Sequence, residues 1–222
     1  MSTSPGAYSE KGSSLLYRGA EADIMEGTWQ GMHAVYKVRK PLPYRLAVLD
    51  DAIRRQRTIR EAQMIHHAKR AGVPAPYLYD VDVTASTLVM EYVEGERLRD
   101  RVGSMGEGEA RGAFREFGAD TAILHSAGIV HGDLTTANVV VRDGSLVFLD
   151  FGLSFRTARL EDRAVDLRLI KETLVGAHPA ISRLALEELF KGYAGVVGAA
   201  KFQAVHRQLR SIERRGRYAR VA

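Results

Sequence analysis

The stretch from residue 129 to 155, IVHGDLTTANVVVRDGSLVFLDFGLSF, places two short apolar runs on either side of Asp143-Gly144. Runs rich in β-branched residues around an Asp-Gly pair predict two antiparallel strands joined by a two-residue turn. Counted back from that turn, Asn138 lies opposite Leu149 and beside Asp150. Both polar side chains are therefore expected at the open end of one hairpin.

The polar side chains near this open end of the hairpin, its rim, carry oxygen atoms that can bind a metal ion. Asp133 precedes Asn138 by five residues, and Asp150 follows the second strand. Such oxygens suit a hard divalent cation that keeps several waters, and Mg²⁺ with a nucleotide phosphate is the natural occupant. For any one of these residues alone, a polar loop capping a hairpin is the better interpretation. The three together favour a metal and nucleotide site.

Size and composition indicate a globular protein. The chain has 222 residues, of which 45% are hydrophobic, enough for one large or two small lobes with a core. No run approaches the roughly 20 apolar residues that span a bilayer. The start of the sequence lacks the apolar core of a signal peptide, so we expect a cytoplasmic protein with no membrane contact.

The net charge of +5 is unevenly distributed. One basic cluster runs from residue 37 to 60, where a solvated helix face is the favoured interpretation. The second is a C-terminal tail that contains Arg207, Arg210, Arg214, Arg215, Arg217 and Arg220. An arginine tail has the composition of an arm that binds phosphates, RNA or an acidic protein surface.

The first part of the chain is predicted to be rich in strands. Strands are expected at 14–17, 34–38, 77–83 and 87–93, with the glycines at 19, 27 and 31 as separators. A long helix is expected over about 50–70, with an apolar stripe of Ile53, Ile59, Ala62, Ile65 and Ala68.

The second part is predicted to be mostly helical. One helix has Phe114, Phe117, Thr121 and Leu124 on a single face, and three more helices follow Asp162. The order of elements predicts a bilobal α+β fold, with a small antiparallel-sheet lobe at residues 1–93 and a reduced helical lobe at 94–222. We expect residues 1–12 to be disordered.

The order of motifs resembles that of the protein-kinase superfamily: a strand lysine, a helix glutamate, a connector, an Asp and Asn pair, and Asp150-Phe151-Gly152. The resemblance implies that Asp133, in His131-Gly132-Asp133, orients the acceptor hydroxyl and takes its proton. It also implies that Asn138 and Asp150 bind Mg²⁺. Asp166 resembles the buried helix aspartate that braces the catalytic loop of kinases, although an exposed helix acid is an equal alternative.

The same resemblance implies an ATP site. Lys37 fits the phosphate-gripping lysine, and its partner would be Glu61, the only glutamate between Lys37 and Met90. A solvated lysine and a surface glutamate are the alternatives. The segment Met90-Glu91-Tyr92-Val93 resembles a kinase hinge, so the Glu91 carbonyl and the Val93 amide would hold adenine. At the glycine-rich loop this chain has only Gly19 and an acid, which predicts weaker phosphate cradling.

Five further segments resemble the atypical kinase/ATPase subunits of the KEOPS complex. They are RGAEA at 18–22, HGDLTTAN at 131–138, AVDL at 164–167, AHP at 177–179 and RRGRY at 214–218. The resemblance implies an assembly that makes threonylcarbamoyladenosine at position 37 of tRNA. It also implies serine/threonine phosphorylation in isolation, and ATP hydrolysis with the carbamoyl-transferring ATPase subunit docked on the helical lobe. A small regulatory subunit would dock on the sheet lobe, and the basic tail would contact tRNA.

Three alternatives stay open. Small-molecule phosphotransferases of the aminoglycoside type share His-Gly-Asp but usually have larger helical lobes. RIO-type kinases differ in their phosphate loop and in an added N-terminal domain. A non-catalytic scaffold that holds tRNA is an alternative of another class, although the full set of Lys37, Glu61, Asp133, Asn138 and Asp150 speaks against it.

Overall fold

A computed structural model describes residues 13–218, with side chains as far as residue 215. Residues 1–12, for which disorder was predicted, lie outside this range. Arg220 also lies outside it. The described residues divide into two compact units. Residues 13–66 and 76–93 form the sheet unit, and residues 67–75 and 94–218 form the helical unit.

The sheet unit contains five antiparallel strands in the order β1-β2-β3-β5-β4. They are β1 (Ser14–Arg18), β2 (Ala22–Trp29), β3 (Met32–Arg39), β4 (Leu78–Asp82) and β5 (Thr87–Glu91). The prediction that Gly27 separates two strands is wrong, because Gly27 lies within β2 and pairs with Ala34. A Cβ on Gly27 would lie 3.1 Å from the ring of Tyr36, so the glycine makes room for that ring.

One long helix, α1 (Ala47–Ala71), follows the first three strands. Its buried positions are Asp50 in the first turn and then Thr58, Glu61, Met64, Ile65 and Ala68. The 3–4 spacing of these positions turns Ile59 away from the buried face, and Ile59 is 40% exposed. Its place in the predicted apolar stripe is therefore wrong.

The helical unit contains five α-helices within the described residues. They are α2 (Leu98–Arg101), α3 (Glu107–Ser126), α4 (Leu160–Ala177), α5 (Ser182–Val197) and α6 (Ala199–Tyr218). The three helices expected after Asp162 are confirmed, and the first of them begins slightly earlier, at Leu160. The predicted face of α3 is also confirmed, because all four of its residues are buried.

Short strands complete the helical unit. They are β6 (Glu96–Arg97), β7 (Ile129–Val130), β8 (Val139–Arg142), β9 (Ser145–Phe148) and β10 (Phe155–Arg156). A sheet forms in the order β6-β8-β9, and β7 pairs with β10. A 3₁₀ turn at Thr136–Asn138 leads directly into β8.

Two glycines allow α3 and α5 to touch backbone to backbone. A Cβ on Gly118 would lie 1.9 Å from the carbonyl oxygen of Leu189, and a Cβ on Gly192 would lie 1.9 Å from that of Arg115. Any side chain at either position would force the helices apart. The two glycines thus set the close packing of α3 against α5.

Over residues 13–218, none of the helices combines the length and the apolar character needed to cross a membrane.

Candidate active site

Lys37 is paired with Glu61 inside the sheet unit. Lys37 on β3 is 8% exposed and Glu61 on α1 is 1% exposed. Lys37 Nζ donates to Glu61 Oε1 at 2.7 Å. Arg39, two residues further along β3, donates from Nη2 to Glu61 Oε2 at 2.6 Å. Each oxygen of this buried carboxylate therefore binds its own cation.

The turn between β1 and β2 stands where a kinase has its glycine-rich loop. Gly19 N donates to Ala22 O at 3.0 Å, and a Cβ on Gly19 would lie 2.6 Å from that oxygen. Glu21 in the same turn forms ion pairs with Arg45, at 3.2 Å, and with Arg57 of α1. Charge pairs thus tie this turn to α1 and to the segment before it.

Residues 90–93, the predicted hinge, are held at the end of β5. Glu91 N donates to Tyr77 O at 2.8 Å, and Tyr77 N donates to Glu91 Oε2 at 3.0 Å. Tyr92 N donates to His33 O at 3.2 Å, and the Tyr92 and His33 rings stack with centroids 4.0 Å apart. These contacts order the connector, while its role in binding adenine stays a prediction.

In the helical unit, the hairpin formed by β8 and β9 has the predicted turn. Asp143 and Gly144 have φ values of 52° and 81°, and two positive φ values are what a type I′ turn requires. At the other end of the hairpin, Leu149 N donates to Asn138 O at 2.8 Å. Asn138 and Asp150 therefore both lie at the open rim, as their spacing predicted.

Asp133 joins this rim through Asn138. The Nδ2 group of Asn138 donates to Asp133 Oδ2 at 2.7 Å and to the Asp133 carbonyl at 2.9 Å. These bonds fix the direction of the Asp133 carboxylate. Because the amide nitrogen of Asn138 serves Asp133, its Oδ1 atom is the part of the side chain suited to a cation.

Asp150 stands in an unusual backbone conformation. Its φ is +55°, which is uncommon for a residue other than glycine. Its Oδ1 accepts a hydrogen bond from Gly152 N at 3.2 Å, and the residue is exposed. Phe151 is fully buried with its ring centroid 4.9 Å from that of His131. The buried ring anchors the segment while the carboxylate stays accessible.

Asp166 braces the loop that carries Asp133. Its Oδ2 accepts from His131 N at 2.7 Å, and its Oδ1 accepts from Gly132 N at 2.9 Å. His125 Nε2 donates to the same Oδ2 at 3.2 Å, and the Tyr193 hydroxyl donates to His125 Nδ1 at 2.9 Å. Asp166 is 1% exposed, so the alternative of an exposed helix acid is wrong.

His131 is a buried, neutral connector. Its Nδ1 accepts from Asp133 N at 3.3 Å, so its proton lies on Nε2, which donates to Leu149 O at 3.0 Å. Burial lowers the pKa of His131, against the opposing charge of Asp166. Its carbonyl accepts from Ser154 Oγ at 2.7 Å. His131 thus links the Asp133 loop to the segment around Asp150.

Gly132 is required by the backbone of the loop that carries Asp133. Its φ is +82°, and a Cβ would lie 2.4 Å from the carbonyl oxygen of Leu153. A side chain would clash with backbone in a conformation that L-residues avoid. This tight contact between the Asp133 loop and the segment after Asp150 admits only glycine.

The oxygen donors at the rim fit a magnesium ion. No group of three or more His, Asp or Glu side chains suited to a metal occurs between residues 13 and 215. Mg²⁺ needs fewer protein ligands, because it is commonly bound by one or two of them and completes its octahedron with water and phosphate oxygens. The Asp150 carboxylate and the Asn138 amide oxygen supply that smaller set.

The structure brings together the predicted residues within each unit. Lys37 and Glu61 form one set, and Asp133, Asn138 and Asp150 form the other. Sequence reasoning did not find Arg39, His125 or Tyr193. Alternation along β3 could have placed Arg39 on the face of Lys37. No sequence signal could have found Tyr193, because its partner His125 lies 68 residues away.

Comparison with known families identifies the class of protein. The family model for the protein kinase domain matches residues 35–176. Among solved structures, the Rio2 kinase from Chaetomium thermophilum, in a complex with ADP, Mg²⁺ and phosphoaspartate, superposes with a TM-score of 0.58 at 17% identity. The superposition covers 96% of this chain and 74% of that one. The chain therefore has a protein kinase fold, which supports a phosphotransferase-like or ATPase-like enzyme.

Relatives with higher sequence identity identify the family within this class. The KEOPS complex subunit Bud32 of Pyrococcus abyssi is 39% identical over 210 residues, which cover 92% of this chain and 96% of the relative. The chain belongs to this family of KEOPS subunits. A probable bifunctional tRNA threonylcarbamoyladenosine biosynthesis protein of Methanobrevibacter smithii is 38% identical over 92% of this chain. The chain spans 36% of that longer protein.

Proposed function

We propose that this protein is an ATP-dependent serine/threonine phosphotransferase and ATP hydrolase that acts as a KEOPS subunit in the synthesis of threonylcarbamoyladenosine in tRNA. The names of its relatives support the assembly and the pathway, because a 39% identical protein is a KEOPS subunit and a 38% identical one is a threonylcarbamoyladenosine biosynthesis protein. The site geometry supports the chemistry. A small-molecule phosphotransferase or a RIO-type kinase is less well supported, because the Rio2 kinase is only 17% identical to this chain whereas the KEOPS subunit is 39% identical.

The observation that carries the proposal is the bond from Asn138 Nδ2 to Asp133 Oδ2, at 2.7 Å, on a loop braced by Asp166. Phosphoryl transfer needs a carboxylate in a fixed direction to orient the attacking hydroxyl and accept its proton. Asp133 Oδ2 is engaged by the amide, so Oδ1 is the atom that would face the hydroxyl of an acceptor or of water.

The remaining residues would bind the nucleotide. Lys37, held by Glu61, would bind phosphate oxygens, and the backbone of residues 90–93 would bind adenine. Mg²⁺ held by Asn138 and Asp150 would neutralise charge on the phosphates as the bond to the leaving group breaks. Every protein group in this scheme positions a reactant or balances charge, which is what phosphoryl transfer requires of a protein.

The segment after the Asp-Phe-Gly motif favours a constitutively ordered enzyme. Only residues 153–159 separate Gly152 from α4, and β10 within them pairs with β7, with Phe155 opposite Val130. A short segment fixed by strand pairing leaves little chain for switching by phosphorylation. Control would then come from partner subunits.

We further propose partners for each unit. The threonylcarbamoyl-transferring ATPase subunit would dock on the helical unit, and a small regulatory subunit on the sheet unit. For tRNA, α6 offers a cavity of about 320 Å³ lined by Arg207, Arg210, Glu213 and Arg214. Arg215 forms an ion pair with Glu161 at 3.0 Å, so the three arginines at the cavity are the better phosphate ligands. The Arg217 side chain and Arg220 lie outside the described residues.

The test measures ATP turnover by the full chain. Phosphate release and transfer to protein serine are followed with Mg²⁺, with and without the carbamoyl-transferring ATPase subunit and tRNA. Asp133→Asn keeps the size of the side chain and removes the proton acceptor. We expect a loss of at least about 100-fold in turnover, the lower range for a general base.

The matched control is Asp143→Asn, which makes the same change at the hairpin turn, where asparagine tolerates the positive φ. It should turn over ATP like the parent. A parent that hydrolyses or transfers no phosphate under any of these conditions, or an Asp133→Asn variant as active as the parent, would leave a tRNA-binding scaffold as the function.

A further inference from the structure

We propose that Arg39 is a positioning residue for ATP use, acting through Glu61 to keep Lys37 available for phosphate. The inference rests on the proposed function, because it concerns the same lysine. It gives Arg39 the role of holding Glu61 in place, a role that neither Lys37 nor Glu61 can supply alone.

Two cations share one buried carboxylate in the sheet unit. Glu61 Oε1 receives Lys37 Nζ at 2.7 Å, and Oε2 receives Arg39 Nη2 at 2.6 Å. Arg39 is 8% exposed, as is Lys37. Both contacts have the short distances of charge-assisted hydrogen bonds. The formal charges of Lys37, Arg39 and Glu61 sum to +1.

Arg39 also fixes Glu61 without help from Lys37. Its Nη2 donates to the carbonyl of Arg57 on α1 at 3.4 Å, and its backbone N donates to Ser86 O at 3.2 Å. The bond to the Arg57 carbonyl joins β3 to α1 beside Glu61, and the bond to Ser86 O joins β3 to the turn between β4 and β5. Glu61 would keep its direction even while Lys37 turns towards a phosphate.

The charge arrangement explains why a second cation is useful. A lysine that alone faces a buried glutamate is largely neutralised by it, and binding a phosphate would strip the glutamate of its counter-ion. Leaving a buried carboxylate unpaired is strongly unfavourable. Arg39 stays bound to Glu61 when Lys37 binds a phosphate. Glu61 therefore keeps a counter-ion, and the free-energy cost of moving Lys37 to the nucleotide is lower.

Arginine suits this task better than lysine because its planar guanidinium directs several N–H groups at once. Here one nitrogen serves both Glu61 and the Arg57 carbonyl. The chain also lacks a run of glycines at the first turn, where Glu21 is already paired with arginines. With fewer backbone amides for phosphate, more of the binding must come from Lys37.

The test compares steady-state ATP kinetics of Arg39→Met with those of the parent, both as full chains. Methionine keeps much of the apolar stem and removes the charge and the donors. We expect kcat/KM for ATP to fall about tenfold, mostly through KM, because phosphate binding is what weakens. Arg39→Lys, which restores a cation, should recover part of that loss.

A double-mutant cycle with Glu61→Gln shows whether Arg39 acts through Glu61. Adding Arg39→Met to Glu61→Gln should lower kcat/KM by less than about twofold, because coupled residues are not additive. The control Arg55→Met removes an arginine of α1 whose partner Asp51 is exposed, and it should match the parent. If Arg39→Met does not fold, the same cycle is run with Arg39→Gln, which keeps one donor group.

Each outcome bears on one claim. A parent without ATP turnover defeats the proposed function. An active parent with unchanged kinetics in Arg39→Met defeats the role of Arg39 alone, and so does an equal fall in kcat/KM with and without Glu61→Gln. A fall confined to kcat, with KM unchanged, would also overturn the proposed role of Arg39.

Discussion

Two buried carboxylates, one in each unit, are held in opposite ways. Glu61 in the sheet unit is bound by two cations, Lys37 and Arg39, at 2.7 and 2.6 Å. Asp166 in the helical unit is bound by the amides of His131 and Gly132, at 2.7 and 2.9 Å, and by one ring N–H. Both are 1% exposed, so burial alone does not decide the partners.

The difference follows from what each acid positions. Glu61 contacts the charged end of a long side chain, and a carboxylate shared by two cations would allow Lys37 to exchange one anion for another. Asp166 positions a stretch of backbone, and amide donors fix backbone more rigidly than a long cationic side chain could. We therefore propose that the cation-held acid serves nucleotide binding and that the amide-held acid serves the geometry of the loop that carries Asp133.

The largest expected effect comes from removing the amide-held acid. Asp166→Ala leaves two buried amides and a histidine N–H without their acceptor, and each such group costs about 1–3 kcal/mol. We expect the free energy of unfolding to fall by about 3–5 kcal/mol in total, measured by urea denaturation with circular dichroism. Turnover should fall with it, because the loop that carries Asp133 loses its brace.

Glu172→Ala is the matched control for Asp166→Ala. Glu172 is an exposed acid on the same helix, paired with Arg168 at 2.8 Å, and such surface pairs contribute about 0–1 kcal/mol. If Asp166→Ala were no less stable than this control, the rigid brace would be refuted.

A third buried acid, Asp120, extends the comparison because neither a cation nor a backbone amide binds it among the described residues. Asp120 on α3 is 8% exposed, and its Oδ2 has no hydrogen-bond partner among the described residues. Burial, together with the nearby charge of Glu116, raises the pKa of Asp120 from 3.8 to about 7. The folded protein thus holds this carboxyl protonated at pH 5 and largely ionised at pH 8.

The sign of the pH effect follows from proton uptake. Between pH 4 and 7 the folded state binds more protons at Asp120 than the unfolded state, so stability decreases as pH rises through this window. Asp120→Asn removes this dependence. We expect the loss of unfolding free energy between pH 5 and 8 to be smaller in the variant by roughly 2 kcal/mol. Parallel pH profiles for parent and variant in urea denaturation would contradict the raised pKa.

Local sequence signals predicted much of the site. Asp143-Gly144 sets the turn, the two-residue period of the strands sets the register, and together they place Asn138 beside Asp150. The uniqueness of Glu61 among glutamates in its segment led to the partner of Lys37. The hairpin inferences succeeded because each depends on neighbours in sequence or on a short count along one element. The pairing of Lys37 with Glu61 joins two elements and came from the resemblance to kinases together with the count of glutamates.

Tertiary contacts were beyond the same reasoning. Ile59 fits a helical period, yet the buried face of α1 includes Thr58 and Glu61, polar residues that a search for apolar stripes passes over. A glycine between two apolar runs predicts a strand break, whereas Gly27 lies within β2 and leaves room for the ring of Tyr36. Both errors arise where packing against another element overrides a local preference.

The smallest expected effect concerns the far end of the Asp166 network. Tyr193 is 1% exposed, burial raises its pKa to about 12, and its hydroxyl donates to His125 Nδ1 at 2.9 Å. Tyr193→Phe leaves that nitrogen without a donor and should lower the free energy of unfolding by about 1 kcal/mol. Because His125 also binds Asp166, we expect kcat to fall about threefold, a small effect transmitted through the brace.

Tyr36→Phe in the sheet unit separates this transmitted effect from general destabilisation. Its hydroxyl donates to Thr28 O at 2.6 Å, so the variant loses one hydrogen bond of the same kind and a similar free energy of unfolding. It lies outside the Asp166 network, and its kcat should equal that of the parent. Equal kcat values for the two variants would mean that Tyr193 only stabilises the fold. A lower kcat in Tyr193→Phe alone would show that the amide-held acid is itself positioned by the hydrogen bonds behind it, which is the kind of role proposed for Arg39 at the cation-held acid.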